Sequence, residues 1–367
     1  FGMMLGALAL APLTDVFGRR RMIIGALILI SPSMFASAKA TSVEQLIVLR
    51  SFAGLGIGAM LASLTSLVAE FTPRKHRNFA IGVLQAGYPV GATLGGFLAA
   101  WILPRYGWPQ LFIVGGFMSL AMLPLVLLLL PESLHFLARR GGPKSLQKIN
   151  ETLARLHQAP LDRLPTLETK LAASPFSLLL PEYRPQTLWL WSAFFITFCT
   201  LYFLISWVPK LFVESGFSVS QGVQAGIALN FGAILGVVGL GYLADRQGLG
   251  RMISIFCVAG ALSMILFGLA PSEIIVLLSL TFLIGLLVQG GFSGLYTVAA
   301  RIYPADFRTT GVGWAIGIGR FGAIAGPYLG GVLASMAWSM EALFIVFALP
   351  MLAAAWVVSR IPPGRYH

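Results

Sequence analysis

Two arginines stand far inside apolar sequence, and their chemistry is the natural starting point. Arg320 lies near the middle of the apolar run 310–336, and Arg50 lies towards one end of the run 45–69. An ionisable group inside such a run is costly and points to function by default. Arginine keeps its charge, and its planar fork matches a carboxylate. The chemistry implied is capture of a small organic anion, with Arg320 as the principal group and Arg50 as a second. The plainer alternative is an arginine that snorkels or pairs with a neighbouring helix. Aromatic and amide side chains supply the remaining wall of a binding site, which is usually apolar with a few placed polar groups. The candidates are Gln85 and Tyr88 in the first half of the chain. In the second half they are Phe198, Tyr202, Trp207, Asn230, Gln289, Phe292, Tyr296 and Trp314. Each alone would serve equally as packing or as a lipid-facing ring, and Trp207 lies where interfacial tryptophans are common.

Covalent and metal chemistry find little support. No nucleophile–base pairing, metal-ligand spacing or phosphate-cradling loop is present, so an enzyme is not expected, and neither is a metal or an organic cofactor. The two cysteines, Cys199 and Cys257, lie inside apolar runs and read as small core residues; His76, His135, His157 and His367 lie in hydrophilic stretches. None of the thirteen Asp and Glu residues, and no histidine, falls mid-way along an apolar run. These residues therefore contain no obvious proton carrier.

The elements that must position these groups are membrane helices. Of the 367 residues 57% are hydrophobic and 10% charged, whereas a soluble domain carries about 25% charge. A span needs about 20 apolar residues, and only helices and closed barrels satisfy their backbone in lipid. The apolar runs are continuous, without the alternation of barrel strands, so helices are expected. Eleven spans are read, at roughly 1–13, 21–38, 45–69, 79–103, 110–130, 187–209, 222–243, 250–270, 273–300, 310–336 and 341–359. The hydrophilic stretch 132–186 separates them, five before and six after, with room for a short surface helix. The organisation expected is an N-terminal bundle over 1–131, a linker over 132–186 and a C-terminal bundle over 187–367.

Charge fixes the orientation. With loops placed alternately on two sides, twenty of the 25 Lys and Arg residues fall on one side, including Arg19, Arg20, Arg21, Arg77, Arg246, Arg308 and the linker cations. Only Lys39, Arg105 and Lys210 fall on the other. By the positive-inside rule the cation-rich side is cytoplasmic, which puts the linker and the C-terminus inside. The net charge of +12 then reflects topology and anionic headgroups, not nucleic acid.

The chain also repeats itself. Ala69, Pro73, Arg77 and Gly82 match Ala300, Pro304, Arg308 and Gly313 at an offset of 231, and Leu13, Asp15 and Gly18 match Leu243, Asp245 and Gly248 at an offset of 230. Both pairs lie in loops of the same side, so the halves are parallel repeats with one orientation. Six spans in one half and five in the other imply that the first helix of a twelve-helix protein is absent from this sequence. Arg50 is expected to pair with an acid on that helix.

These residues resemble the major facilitator superfamily. Ala11-Pro-Leu-Thr-Asp15-Val-Phe-Gly18-Arg19-Arg20 resembles that family's loop G-x-L-A-D-R-x-G-R-R, and Gly241-Tyr-Leu-Ala-Asp245-Arg246-Gln-Gly248 keeps more of it. Arg50-Ser-Phe-Ala-Gly54-Leu-Gly56-Ile-Gly58 resembles its fourth helix. More narrowly, the stretches Tyr202–Pro209 and Tyr303–Pro327 are similar to the aromatic acid:proton symporters of bacteria. That subfamily's first helix carries Asp-Gly-x-x-Asp, which this sequence lacks. The resemblance implies an all-α membrane protein of two pseudo-symmetric bundles in the bacterial inner membrane, a monomer. It implies symport of a benzoate-type or hydroxybenzoate-type acid with a proton, by alternating access. The alternatives are carriage of another organic ion or a sugar, or an inactive truncated carrier or membrane sensor. Asp15, Arg19, Glu70, Arg77, Asp245, Arg246 and Arg308 read as gate residues that couple conformational change, against the plainer reading of topology-setting charge. The glycine series Gly54/Gly56/Gly58, Gly91/Gly95/Gly96 and Gly322/Gly326 is expected to permit close helix packing.

Overall fold

A computed structural model describes residues 1–165, 175–271 and 273–361. Glu168 and Lys170 of the linker, and Arg365 and His367, lie outside the described residues. Among the described residues all regular structure is helical. We label the helices α1 (Gly2–Phe17), α2 (Arg19–Ser37), α3 (Val43–Phe71), α4 (Arg77–Tyr106), α5 (Trp108–Leu129), α6 (Leu134–Arg140) and α7 (Pro143–Arg155). These are followed by α8 (Arg184–Glu214), α9 (Val219–Gln247), α10 (Leu249–Leu269), α11 (Ile274–Ile302), α12 (Arg308–Ser335) and α13 (Met340–Ser359). Ten of them are long and apolar enough to cross a bilayer, and α1 is a shorter apolar helix. Each long helix matches one predicted span, with its ends shifted by up to five residues. The expected span 1–13 instead runs on to Phe17 and stops at Gly18, whose φ of 102° suits glycine. Its repeat mate Gly248 has φ 94° and separates α9 from α10 in the same way.

The linker holds two short helices where one was expected. Gly141 and Gly142, at φ 74° and 84°, break the chain between α6 and α7. Helix α7 is amphipathic: Ser145, Ile149 and Thr152 are buried, while Lys144, Lys148 and Arg155 are exposed.

Contacts sort the chain into two units. The first comprises Phe1–Phe71, Ile102–Tyr183 and Tyr303–Trp314; the second comprises Thr72–Trp101, Arg184–Ile302 and Ala315 onward. In the first unit α2 packs on α3 and α5 around Ile23, Leu27 and Leu67. Helix α5 buries only Gly116 and leaves Phe117, Leu128 and Leu129 more than half exposed, as a lipid-facing helix should. In the second unit α8, α10 and α13 pack together, with Phe203 stacked on Phe347 at 3.7 Å.

Backbone contact at glycine holds both units. Side chains at Gly2 and Gly6 of α1 would strike the carbonyls of Ser51 and Leu55 on α3. In the second unit Gly232 and Gly236 of α9 meet Phe282 and Leu286 of α11, and Gly285 meets Leu229 in return. Gly232 and Gly236 are 230 residues from Gly2 and Gly6, so the repeat extends to the packing itself. The packing role expected for Gly54, Gly56, Gly58, Gly322 and Gly326 holds, since each lies against a neighbouring helix. It fails for Gly91, Gly95 and Gly96, around which nothing lies within 4 Å of an added Cβ among the described residues. Helix α4 turns that stripe to open space.

Candidate functional site

Helix α8 places Phe194, Phe198 and Tyr202 four residues apart, so the three rings line one face. Helix α11 presents Gln289, Phe292 and Tyr296 at helical spacing, and the π-helical turn Gly285–Gln289 sets where that face points. Arg320 of α12 enters this cluster and is 8% exposed. Its Nη1 donates to the Tyr202 hydroxyl. Its guanidinium carbon lies 5.0 Å from the Phe198 ring centre and 5.4 Å from that of Tyr202. Such stacking stabilises a desolvated cation by about 2 kcal/mol. Gly319 admits the Phe198 ring beside the arginine, where a Cβ would collide with it.

The other rings close the box. Phe198 meets Phe292 edge-on at 4.6 Å, and Phe194 meets Tyr296 at 5.3 Å. Tyr88 of α4 hydrogen-bonds to Tyr202, and Gln85 hydrogen-bonds to Tyr296. Tyr88, Asn230 and Gln289 line one narrow crevice with Leu229 and Val288. The Asn230 amide donates to the Gly226 carbonyl at 2.9 Å, which satisfies one of its groups within its own helix. The Arg320 Nε is buried and has no hydrogen-bond partner, and among the described residues no carboxylate lies within ion-pair distance of this arginine. A buried cation ringed by aromatic faces, with donors to spare, can hold one carboxylate joined to a flat ring.

Of the twelve predicted binding residues, ten fall in this second unit: Gln85, Tyr88, Phe198, Tyr202, Trp207, Asn230, Gln289, Phe292, Tyr296 and Arg320. Arg50 and Trp314 fall in the first. Arg50 is exposed; it donates to the Met34 sulfur at 3.0 Å and lies 5.4 Å from the Phe112 ring centre. Trp207 uses its indole N–H on the Pro327 carbonyl at 3.0 Å, tying α8 to α12. Phe194 was missed by sequence reading, although its spacing of four from Phe198 and eight from Tyr202 was a usable signal.

A second constellation, in the first unit, gathers Asp15, Arg19 and Glu70. Arg19 is 2% exposed. It pairs with Glu70 at 2.7 Å and Asp15 at 3.3 Å, and donates to the Ala305 carbonyl at 3.0 Å. Ser133 bridges Arg19 and Glu70, and the His135 backbone N–H donates to Glu70 at 2.7 Å. Asp15 accepts from the backbone N–H and hydroxyl of Thr310 at 2.8 and 2.9 Å. It thereby caps the N-terminus of α12, where the helix dipole favours a carboxylate.

The repeat reproduces the cap in different company. Asp245 accepts from the backbone N–H groups of Asn78 and Phe79, at 3.3 and 3.2 Å, at the start of α4. Leu249 stands where the first copy has Arg19, and Arg301 stands where it has Glu70. Arg246 stacks on Tyr242 at 4.3 Å and is exposed. Arg77 is half-buried and donates weakly to the Thr72 carbonyl at 3.4 Å, and Arg308 stands near His135. The first copy is thus a buried knot around Arg19, and in the second Arg301 stands near the capping Asp245.

Comparison with known proteins bears on the chain as a whole. The model of the Major Facilitator Superfamily matches residues 1–279 and 240–367. The chain is 35% identical to the 4-hydroxybenzoate transporter PcaK of Pseudomonas putida, across 99% of this chain and 82% of that protein. It is 34% identical to a gallate transporter of Pseudomonas putida, across 97% and 80% respectively. It is 30% identical to the benzoate transport protein of Acinetobacter baylyi, across 100% and 80%. In fold it is similar to the solved proton:xylose symporter XylE, with a TM-score of 0.76 over 100% of this chain and 85% of that one, at 16% identity.

Proposed function

Because this chain belongs to the Major Facilitator Superfamily and is a multi-pass membrane transporter rather than an enzyme, we propose that its cargo is a small aromatic carboxylate of the benzoate or hydroxybenzoate type. The observation that carries the reading is Arg320: a buried guanidinium held by Tyr202 and flanked by the Phe198 and Tyr202 rings. The cargo carboxylate would take the free edge of the arginine fork, and its ring would lie among Phe194, Phe198, Phe292 and Tyr296. Gln85, Tyr88, Asn230 and Gln289 are the polar groups available to ring hydroxyls. The names of the relatives support this cargo class.

Transport in this reading proceeds by alternating access between an N-terminal bundle over 1–131 and a C-terminal bundle over 187–367. Asp15, Arg19, Glu70, Arg77, Asp245, Arg246 and Arg308 serve as gate residues at the cation-rich end. The knot around Arg19 supports the role for the first three, since it joins the first half to residues 305–310. The positive-inside rule supports a cytoplasmic linker and C-terminus, and the bacterial sources of the relatives support the inner membrane. Coupling to a proton rests on the resemblance to the aromatic acid:proton symporters.

The test is uptake of radiolabelled 4-hydroxybenzoate into cells carrying matched membrane levels of wild type and Arg320→Lys. Lysine keeps the charge but loses the fork, so uptake should fall about tenfold or more, as expected for a lost charged hydrogen bond. Wild-type kinetics in the lysine variant would remove Arg320 from the site. Excess unlabelled benzoate should compete and excess glucose should not, and a protonophore should abolish accumulation.

A further inference from the structure

The cation-rich end carries a second, separate cleft in the first unit, between α2, α5 and the linker helices. It has an open volume of about 220 Å³. Five cations line it: Arg20 and Arg21 from the first turn of α2, Arg140 from α6, and Lys148 and Arg155 from α7. Lys148, Thr152 and Arg155 sit at spacings of four and three on α7, so they share one face. Two carboxylates also reach the cleft, and both are engaged. Glu132 accepts from the backbone N–H groups of Arg20 and Ser133, at 3.0 and 2.9 Å, and Glu151 accepts from Gln147 at 3.0 Å. The Arg20 Nε is buried without a hydrogen-bond partner. The remaining wall is apolar and opens sideways: Leu127 and Leu128 at the end of α5 line the cleft while 46% and 72% exposed.

We propose that this cleft is a binding site for an anionic phospholipid. The phosphodiester would sit among Arg21, Lys148 and Arg155, and the acyl chains would run down the exposed leucine face of α5. Charge complementarity selects the anion, because five cations outnumber two carboxylates. The continuity of the basic cleft with a lipid-facing helix selects a lipid over a soluble phosphate. Basic pockets between membrane helices bind anionic headgroups on these grounds. The site is independent of the Arg320 cluster, and its test needs no transport.

The experiment is native mass spectrometry of the full chain in detergent, titrated with phosphatidylglycerol and, separately, with phosphatidylcholine. The wild type should retain phosphatidylglycerol at least tenfold more tightly than phosphatidylcholine. The double variant Arg21→Gln, Lys148→Gln should weaken phosphatidylglycerol by about fivefold per cation removed (~1 kcal/mol each). Lys148→Arg, which keeps the charge, should bind as the wild type does and guards against an unfolded glutamine variant. Equal retention of the two lipids, or an unchanged affinity in a folded double variant, would overturn the site. Displacement of the lipid by glycerol phosphate at equal concentration would show a soluble-anion site instead.

Discussion

At Arg320 the guanidinium has an aromatic ring on each of two neighbouring turns of α8, Phe198 at 5.0 Å and Tyr202 at 5.4 Å, and a hydroxyl at one amino group. The rings replace part of the lost hydration, and the Tyr202 hydroxyl aims the fork. Removing that hydroxyl leaves the charge unaimed, so Tyr202→Phe should raise the apparent KM for 4-hydroxybenzoate about tenfold, the size of a hydrogen bond to a charged group. Uptake against substrate concentration in cells checks this; an unchanged KM with a lowered maximal rate would assign Tyr202 to the transport step instead. Much of this site is legible residue by residue. Arg320 announces itself as a charge in apolar sequence, and Tyr202, Gln289 and Tyr296 as polar groups in apolar helices. Phe194 announces itself only through its spacing from Phe198 and Tyr202, because a phenylalanine in a membrane helix looks the same whether it faces lipid, core or cargo. Arg50 announces itself as Arg320 does, as a second candidate, and it lies exposed beside Met34 and Phe112.

At the scale of helices, the two aspartates of the repeat perform the same local task in different company. Each carboxylate caps a helix beginning in the opposite half of the chain, Asp15 at α12 and Asp245 at α4. Asp15 also faces the buried Arg19. Asp15→Ala should therefore destabilise more than Asp245→Ala. Loss of a cap costs about 1 kcal/mol, whereas stripping a partner from a buried ion pair costs about 3–5 kcal/mol. Thermal unfolding of the two variants in one detergent checks the order, and equal losses would mean that Glu70 alone satisfies Arg19. A linker histidine adds a pH term. His135 of α6 lies 3.7 Å from Asp306, with Glu70, Arg19 and Arg308 also near and Arg139 pairing with the same aspartate at 3.9 Å. Burial pushes its imidazole below the ordinary value of 6.5, outweighing the upward pull of Asp306 and Glu70. The folded protein then holds fewer protons at this site than the unfolded chain does just below that value. Neutral His135 contributes its stability at neutral pH and loses it as the pH falls through the ordinary range. The melting temperature of the wild type should accordingly drop more between pH 7.5 and 5.5 than that of His135→Asn.

Across the whole chain, duplication is visible at three depths: in the motif residues, in the helix caps and in the glycine contacts of α1 with α3 and of α9 with α11. Topology is testable at this scale. Both native cysteines are buried, so an exposed probe such as Gln147→Cys on α7 stands alone. A membrane-impermeant thiol reagent should label it only after the cells are opened; labelling of intact cells would reverse the proposed orientation. Composition and patterning sufficed to establish the class of the molecule. Lipid tolerates only long apolar helices, cations partition to one face, and a repeat written in loop residues survives as a repeat in space. The partners of each charge were settled by the tertiary fold. Helix α4 shows an apolar run with a glycine stripe, as α3 does, yet one stripe is open and the other touches backbone. The grouping of 72–101 with the later helices and of 303–314 with the earlier ones is equally invisible in one dimension. Hydrophobicity decides that a helix is buried in the membrane, but which of its faces meets lipid, helix or cargo depends on neighbours distant in sequence.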